Sequence, residues 1–268
     1  MSGAPPSREN WNGQLQGAVP SPVTRRVKFI APSEKGGSQP FPTVDDQNER
    51  WYVKAPNNPQ GGRVVVTELI VSAVGRLIGA PVCEVEPIEI PADFAGMTLP
   101  SGLALQAGIG SASRAIPDVT QAGGLEHRRR DDNRRRHVGV FALYDWCWGG
   151  DGQWLYCASA DEKLYSHDHG WYLPPEGADW NEAALLAEVD TSRQLPAPHD
   201  ELDVGECERV ADALEAVTRE DLCSILAGVP AQWGIPVIEL EAVGYFLERR
   251  APAVGARIRA MGAQLQGS

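Results

Sequence analysis

The stretch WYVKAPNNPQGGRVVVTELIVSAVGRLIGA, residues 51–80, decides how this chain is read. Residues 51–54 have the aromatic and β-branched character of a strand. After a loop of Pro, Asn and Gly, the apolar positions Leu69, Val71, Ala73, Val74, Leu77 and Ile78 recur at mixed three- and four-residue spacing up to Gly79, which predicts a helix of three to four turns. Lys54 ends the strand, and Glu68 stands at the start of the helix, 14 residues on. A strand that hands over to a helix in this way can fold a lysine and a glutamate back into one cleft.

Working outward, residues 26–30 (RVKFI) read as another strand. SEKGGSQPF reads as a turn broken by Gly and Pro, and VDDQNER as polar sequence before the lysine strand. These pieces predict a small antiparallel sheet. On the other side, PVCEVEPIEI alternates imperfectly, as an edge strand does, whereas residues 92–124 are rich in Gly and Ala and are expected to hold a connection between lobes. A charged run, HRRRDDNRRRH, leads into an apolar helix over 138–148 that breaks at Gly149-Gly150, and Asp151 follows directly. QWLYC and KLYSHD then read as a small hairpin closed by Asp168, and from Trp180 onward the pattern is helical.

The expected class is therefore α+β: a small N-lobe of antiparallel strands with one helix over residues 23–98, and a mainly helical C-lobe over 99–268 that carries the catalytic and metal-binding loops. Residues 1–22, rich in Pro, Gly, Ser and Asn, are expected to form a flexible N-terminal arm.

Bulk properties narrow the function. A net charge of −12 and a pI near 4.9 argue against direct binding to nucleic acid or to an anionic membrane surface. Cys83, Cys147, Cys157, Cys207 and Cys223 are odd in number, widely spaced and without a C-x-x-C pair, so a reducing compartment is expected. With no basic start leading into an apolar run and no membrane-length apolar window, the protein is expected to be cytoplasmic.

Phosphoryl transfer needs a glycine-rich turn over the phosphates, a strand lysine, a helix carboxylate to orient it, a base and metal-holding carboxylates. The chain offers these in order: Gly36 and Gly37 in a turn, Lys54, Glu68, Asp151 and, 17 residues later, Asp168. Each alone has an ordinary reading, as a hairpin glycine, a surface ion pair or a capping aspartate. Their order is what points to chemistry.

That order resembles the HipA-like kinases. KGGSQP, with Gly36, Gly37, Ser38 and Gln39, is similar to the family's phosphate loop; WYVK resembles its lysine strand, and TELIVSAVGRLIGAPV its following helix. DWCWGGDGQWLY resembles the catalytic loop with Asp151 as base, and YSHDHGWYLP the metal segment with Asp168 as principal ligand. The resemblance implies a protein-kinase-like fold and an enzyme that uses ATP and Mg²⁺. It further implies transfer of the γ-phosphate to a hydroxyl, protein Ser/Thr for that family, and a possible antitoxin-like protein partner. One departure stands out. Five residues after the base, where the family carries a metal-binding Asn, this chain has Tyr156, and Gln153 is the nearest amide oxygen that can substitute.

The acceptor hydroxyl can equally belong to a small molecule, and two further alternatives stay open at this level. A non-catalytic ATP-binding pseudokinase would use the same fold without the second metal ligand. A metal-dependent hydrolase would use Asp151, His167, Asp168 and His169, the histidines sharing one face of a strand. Arg128 to Arg130 and Arg134 to Arg136 read either as an anion-docking patch or as a solvated loop, and Trp146, Trp148, Trp154 and Trp171 as packing near the site.

Overall fold

In a computed structural model that describes residues 6–20, 22–31, 40–175 and 179–267, five antiparallel strands form a sheet in the order β1-β2-β3-β5-β4. They are β1 (Val27–Ile30), β2 (Phe41–Asp45), β3 (Arg50–Lys54), β4 (Val85–Ile90) and β5 (Gly108–Arg114). Helix α1 (Arg63–Leu77) runs between β3 and β4 and ends where Gly79 takes a φ of 69°. A second sheet, β6-β7-β8, comprises β6 (Val119–Ala122), β7 (Trp154–Cys157) and β8 (Lys163–Ser166), with α2 (Asn133–Trp146) between β6 and β7. Four more helices complete the C-terminal part: α3 (Glu182–Glu188), α4 (Val204–Glu215), α5 (Arg219–Ala227) and α6 (Val237–Gln266).

The α+β, two-lobed expectation holds, with the predicted edge strand β4 at the sheet margin. Three details differ. β2 was read as turn and polar sequence because Pro42 and Asp45 speak against a strand. Its pairing with β3 is kept because the buried Asp45 carboxylate is fully engaged by the Trp51 indole, the Gln47 and Glu49 amides and Arg25. The sheet also continues past residue 98, since β5 lies between β3 and β4; we place the lobe boundary between β5 and β6. Its sequence GIGSASR carries too little hydrophobic alternation to read as a strand, yet it fits a central position because small residues sit between two neighbours.

The third difference is at the N-terminus. The loose arm expected over 1–22 is, in its described part, packed. Trp11 is fully buried, Leu15 nearly so, and the Trp11 indole donates to Glu248 Oε2 at 2.7 Å while Arg8 reaches Glu182 and the Ile238 carbonyl. Two large apolar side chains outweigh a composition that otherwise favours disorder. Gly244 of α6 leaves the room for Trp11, as a Cβ there would meet the indole at 2.2 Å.

One core joins α1, α2 and the C-terminal helices, and a second, built from Val27, Phe41, Trp51, Val53, Ile88 and Leu105, covers the far face of the five-stranded sheet. Strand alternation then turns Lys54 and Tyr52 the other way, toward the C-lobe.

Candidate active site

Lys54 is the residue on which the site converges. Its Nζ lies 2.5 Å from Glu68 Oε1 and 2.5 Å from Asp168 Oδ1, so a strand, a helix and a loop from both lobes meet at one ammonium. All three side chains are largely withdrawn from water. Burial works against the charge on Lys54, but the two carboxylates outweigh it and hold its pKa above the ordinary value. For Asp168 burial alone would raise the pKa; the Lys54 charge and hydrogen bond win and hold it down at about 2. Glu68, fully enclosed, is pushed up by burial, with Lys54 pulling the other way. The lysine and Asp168 are thus charged at neutral pH.

Backbone pairing fixes where Asp168 stands. β8 pairs with β7 and is extended beyond it by two bonds to the loop after α1, the Ser166 amide donating to the Pro81 carbonyl and the Cys83 amide to the Ser166 carbonyl. Asp168 then takes a left-handed conformation (φ 54°), which turns the chain toward Lys54. The Gly170 amide donates to Glu68 Oε1 at 3.0 Å. Gly170 was not singled out by sequence, although a glycine two residues after Asp168 is itself a legible signal.

Asp151 lies at the same end of the hairpin. The register sets Trp154 opposite Ser166, and the His167 amide reaches the Gln153 carbonyl, so Gln153 and Asp151 follow on the side of Asp168. Asp151 is exposed, and Gln153 Nε2 donates to its Oδ2 at 2.7 Å. The carboxylate can only accept, which settles the amide orientation: Gln153 Oε1 faces away and accepts from Gln121 Nε2 at 2.7 Å. Tyr156 stands elsewhere. It is fully buried in the middle of β7, packed with Val140, Trp154 and Leu164, and its hydroxyl accepts from the Glu126 amide. Counting five residues from Asp151 overshoots a short loop, so Gln153, immediately before β7, is the side chain at the loop's end.

The donor set suits a hard cation: carboxylates at Asp168 and Asp151 with an amide at Gln153, near a lysine able to contact phosphate oxygens. The histidines do not add to it. His169 is fully enclosed with Nε2 bonded to Ser166 Oγ at 2.8 Å, and burial depresses its pKa to about 3 and that of His167 to about 4. Among the described residues no three His, Cys, Asp or Glu side chains gather as a metal-binding group. Gly36, Gly37, Ser38 and Gln39, expected over the phosphates, lie outside the described residues.

An exposed aromatic face borders the lysine. Tyr52, two residues before Lys54 on the same side of β3, pairs across with Pro42, and Phe29 pairs with Val44. Sequence reasoning passed over Tyr52, though strand alternation from Lys54 points to it. The arginine run carries no open anion patch: Arg128 pairs with Asp200, Arg129 with Glu201, Arg130 with Asp161, Arg135 with Asp132 and Glu206, Arg136 with Asp131, and Arg134 donates to the Glu201 carbonyl.

The family model for HipA-like kinase matches residues 27–152. Over these residues the chain is similar to the HipA-like kinases. The HipA-like match takes in Lys54, Glu68 and Asp151 and stops before Gln153 and Asp168, which the fold adds to the site. Among solved structures, the proinflammatory kinase CtkA of Helicobacter pylori aligns with a TM-score of 0.59 at 12% identity, over 91% of this chain and 97% of that one. The Golgi casein kinase with Mn/ADP bound aligns with a TM-score of 0.50 at 9% identity, over 96% of this chain and 77% of that one. Both are protein kinases, and at these identities the likeness is one of fold. No curated protein sequence matches the chain. Among the described residues, no helix is long and apolar enough to cross a membrane.

Proposed function

We propose that this chain is an ATP- and Mg²⁺-dependent HipA-like kinase that transfers the γ-phosphate to a hydroxyl, with a protein Ser/Thr as acceptor. The observation that carries the reading is the Lys54 ammonium placed 2.5 Å from both the helix glutamate Glu68 and the loop aspartate Asp168. Phosphoryl transfer in a kinase fold needs the strand lysine paired with a helix glutamate, and Lys54 and Glu68 form such a pair. The Golgi casein kinase, seen with Mn/ADP, supports nucleotide and divalent-metal use by the fold.

In this reading Lys54 contacts phosphate oxygens, and Glu68 keeps Lys54 in position while being held itself by the Gly170 amide. Asp168 and, once released from Gln121, the Gln153 oxygen would hold the metal. Bound Mg²⁺ would supply neutralisation of phosphate charge. Asp151, exposed at the cleft and oriented by Gln153, accepts the proton of the attacking hydroxyl. The aromatic face of Tyr52 and Phe29 offers a surface on which a base can stack. The Ser/Thr acceptor and an antitoxin-like protein partner rest on the family resemblance alone. A cytoplasmic setting rests on five free cysteines, four of them buried.

The test is transfer of labelled γ-phosphate from ATP with Mg²⁺ to a Ser/Thr protein substrate, run beside Asp151→Ala and Asp168→Ala. Loss of transfer in both variants is expected; transfer that survives in both would sink the kinase reading. A pseudokinase would instead be stabilised by nucleotide without turnover. That reading has one observation in its favour, the Gln153 oxygen engaged by Gln121.

A further inference from the structure

We propose that Trp180 is a built-in latch that seats α1, and with it Glu68, with no phosphorylation of the segment that follows Asp168. The inference deepens the kinase reading above and rests on it for its effect on turnover.

Helix α1 starts without the usual fixings. Gly62 at its N-cap offers no side-chain oxygen, and its first turn holds no acidic residue. What holds that end comes from the C-lobe. Trp180 is fully buried, and its indole N–H donates to Thr67 Oγ1 at 2.9 Å, while the Thr67 hydroxyl donates to the Arg63 carbonyl one turn earlier, also at 2.9 Å. The Arg63 guanidinium lies over the indole, 4.5 Å from the ring centroid, and its Nη1 is 2.5 Å from Glu239 at the start of α6. Thr67 directly precedes Glu68, so the first turns of α1 cannot rotate or lift without breaking these contacts. Gly170 fixes the near end of the same segment by donating to Glu68. The segment is therefore anchored on α1 at both ends.

In kinases that switch, a phosphate added to this segment supplies the charge that orders it and seats the helix. Here the segment between Asp168 and α3, residues 169–181, contains a single hydroxyl side chain, Tyr172. Tyr172 is 2% exposed and stands edge-on to His169 and Tyr144, out of reach of a modifying enzyme. An indole hydrogen bond and aromatic burial, present in the resting chain, take the place of an added phosphate. Trp180 is thus a positioning residue that acts through α1.

The test uses the full chain with Trp180→Phe, which keeps a ring and deletes the N–H, Trp180→Ala, and Thr67→Val, which deletes the acceptor. Amide hydrogen exchange across residues 63–70 is expected to speed up about fivefold in Trp180→Phe and Thr67→Val, and far more in Trp180→Ala, with exchange in α4 unchanged. The kcat for phosphoryl transfer is expected to fall by similar factors with the KM for ATP nearly constant. Unchanged exchange in α1 for both Trp180→Phe and Thr67→Val would overturn the latch, as would phosphate on Tyr172 in active protein by mass spectrometry. If Trp180→Ala does not fold, the two conservative variants still decide. If the native chain transfers no phosphate, the kinase reading fails while the exchange measurement still judges the latch.

Discussion

The α-carbon of Gly170 faces Val64 of α1 so closely that a Cβ on residue 170 would lie 2.6 Å from Val64 Cγ1. The loop after Asp168 and the helix that carries Glu68 therefore meet with no spare space. Gly170→Ala has to push α1 outward and draw Glu68 away from Lys54, although it removes no functional group. Turnover is expected to fall about tenfold or more, since displacements of about an ångström at a positioned group carry costs of that order. The double variant Gly170→Ala/Val64→Ala makes room again and should recover most of the loss. Absence of any recovery in steady-state kinetics would show that the contact does not govern the site.

One ammonium, Lys54, is shared by two carboxylates that burial has largely withdrawn from water. Lys54→Met leaves Glu68 and Asp168 facing each other uncompensated, at an expected cost of about 3–5 kcal/mol at pH 7. Without the ammonium, burial takes the folded-state pKa of Asp168 above its ordinary value and that of Glu68, already raised, higher still, so the folded form binds more protons than the unfolded. The penalty must then shrink as pH falls toward 5 and grow as it rises. Urea midpoints of Lys54→Met relative to the native chain across pH 4.5–8 check this; a constant difference would mean the three groups are not coupled.

Two buried histidines, His137 and His169, and the partly buried His167 set the response to acid. Burial depresses His137 to about 3, with the Arg128 charge adding to it, and likewise lowers His169 to about 3 and His167 to about 4. Between their ordinary pKa and these values the unfolded chain binds protons that the folded chain does not. Stability therefore declines as pH falls from about 6.5 toward 4, and the trend is absent above 6.5. Thermal unfolding at pH 7.5, 6.5, 5.5 and 4.5 is the measurement. His137→Gln, which can still accept from Arg128 Nε, should flatten the decline.

Trp11 ties the N-terminal segment to the helical lobe. Trp11→Ala empties the slot beside Gly244 and removes the indole donor to Glu248, which keeps Arg219, with an expected loss of about 3–5 kcal/mol. Chemical denaturation reads it directly, and a change under about 1 kcal/mol would return residues 6–17 to the status of a loose arm.

Arg250 is a buried cation of the C-lobe. It donates to the carbonyls of Asp145, Trp146, Glu188 and Thr191 and meets the Asp145 carboxylate, which also accepts from Arg257 and the Arg193 amide. Burial lowers its pKa to about 10, still well above neutrality. Arg250→Met leaves four carbonyls and a buried carboxylate short of donors, and a loss of about 3–5 kcal/mol in urea denaturation is expected.

The sequence by itself determined the alternation that marks β3, the three- and four-residue spacing that marks α1, and the order Lys54, Glu68, Asp151, Asp168. These are local patterns, written into adjacent residues by the geometry of strand and helix. It did not reveal β2 and β5, where a proline, a buried aspartate and a run of small residues become strand only because neighbouring strands satisfy their backbone groups. Nor did composition reveal that Trp11 is buried, since its slot is made by a glycine more than two hundred residues away. Only the tertiary structure decided which carboxylates share Lys54, that Gly170 and Trp180 hold the helix bearing Glu68, and that Tyr156 faces a core while Gln153 stands beside Asp151. Hydrogen bonds across such separations depend on how the two lobes close, and no local pattern records that closure.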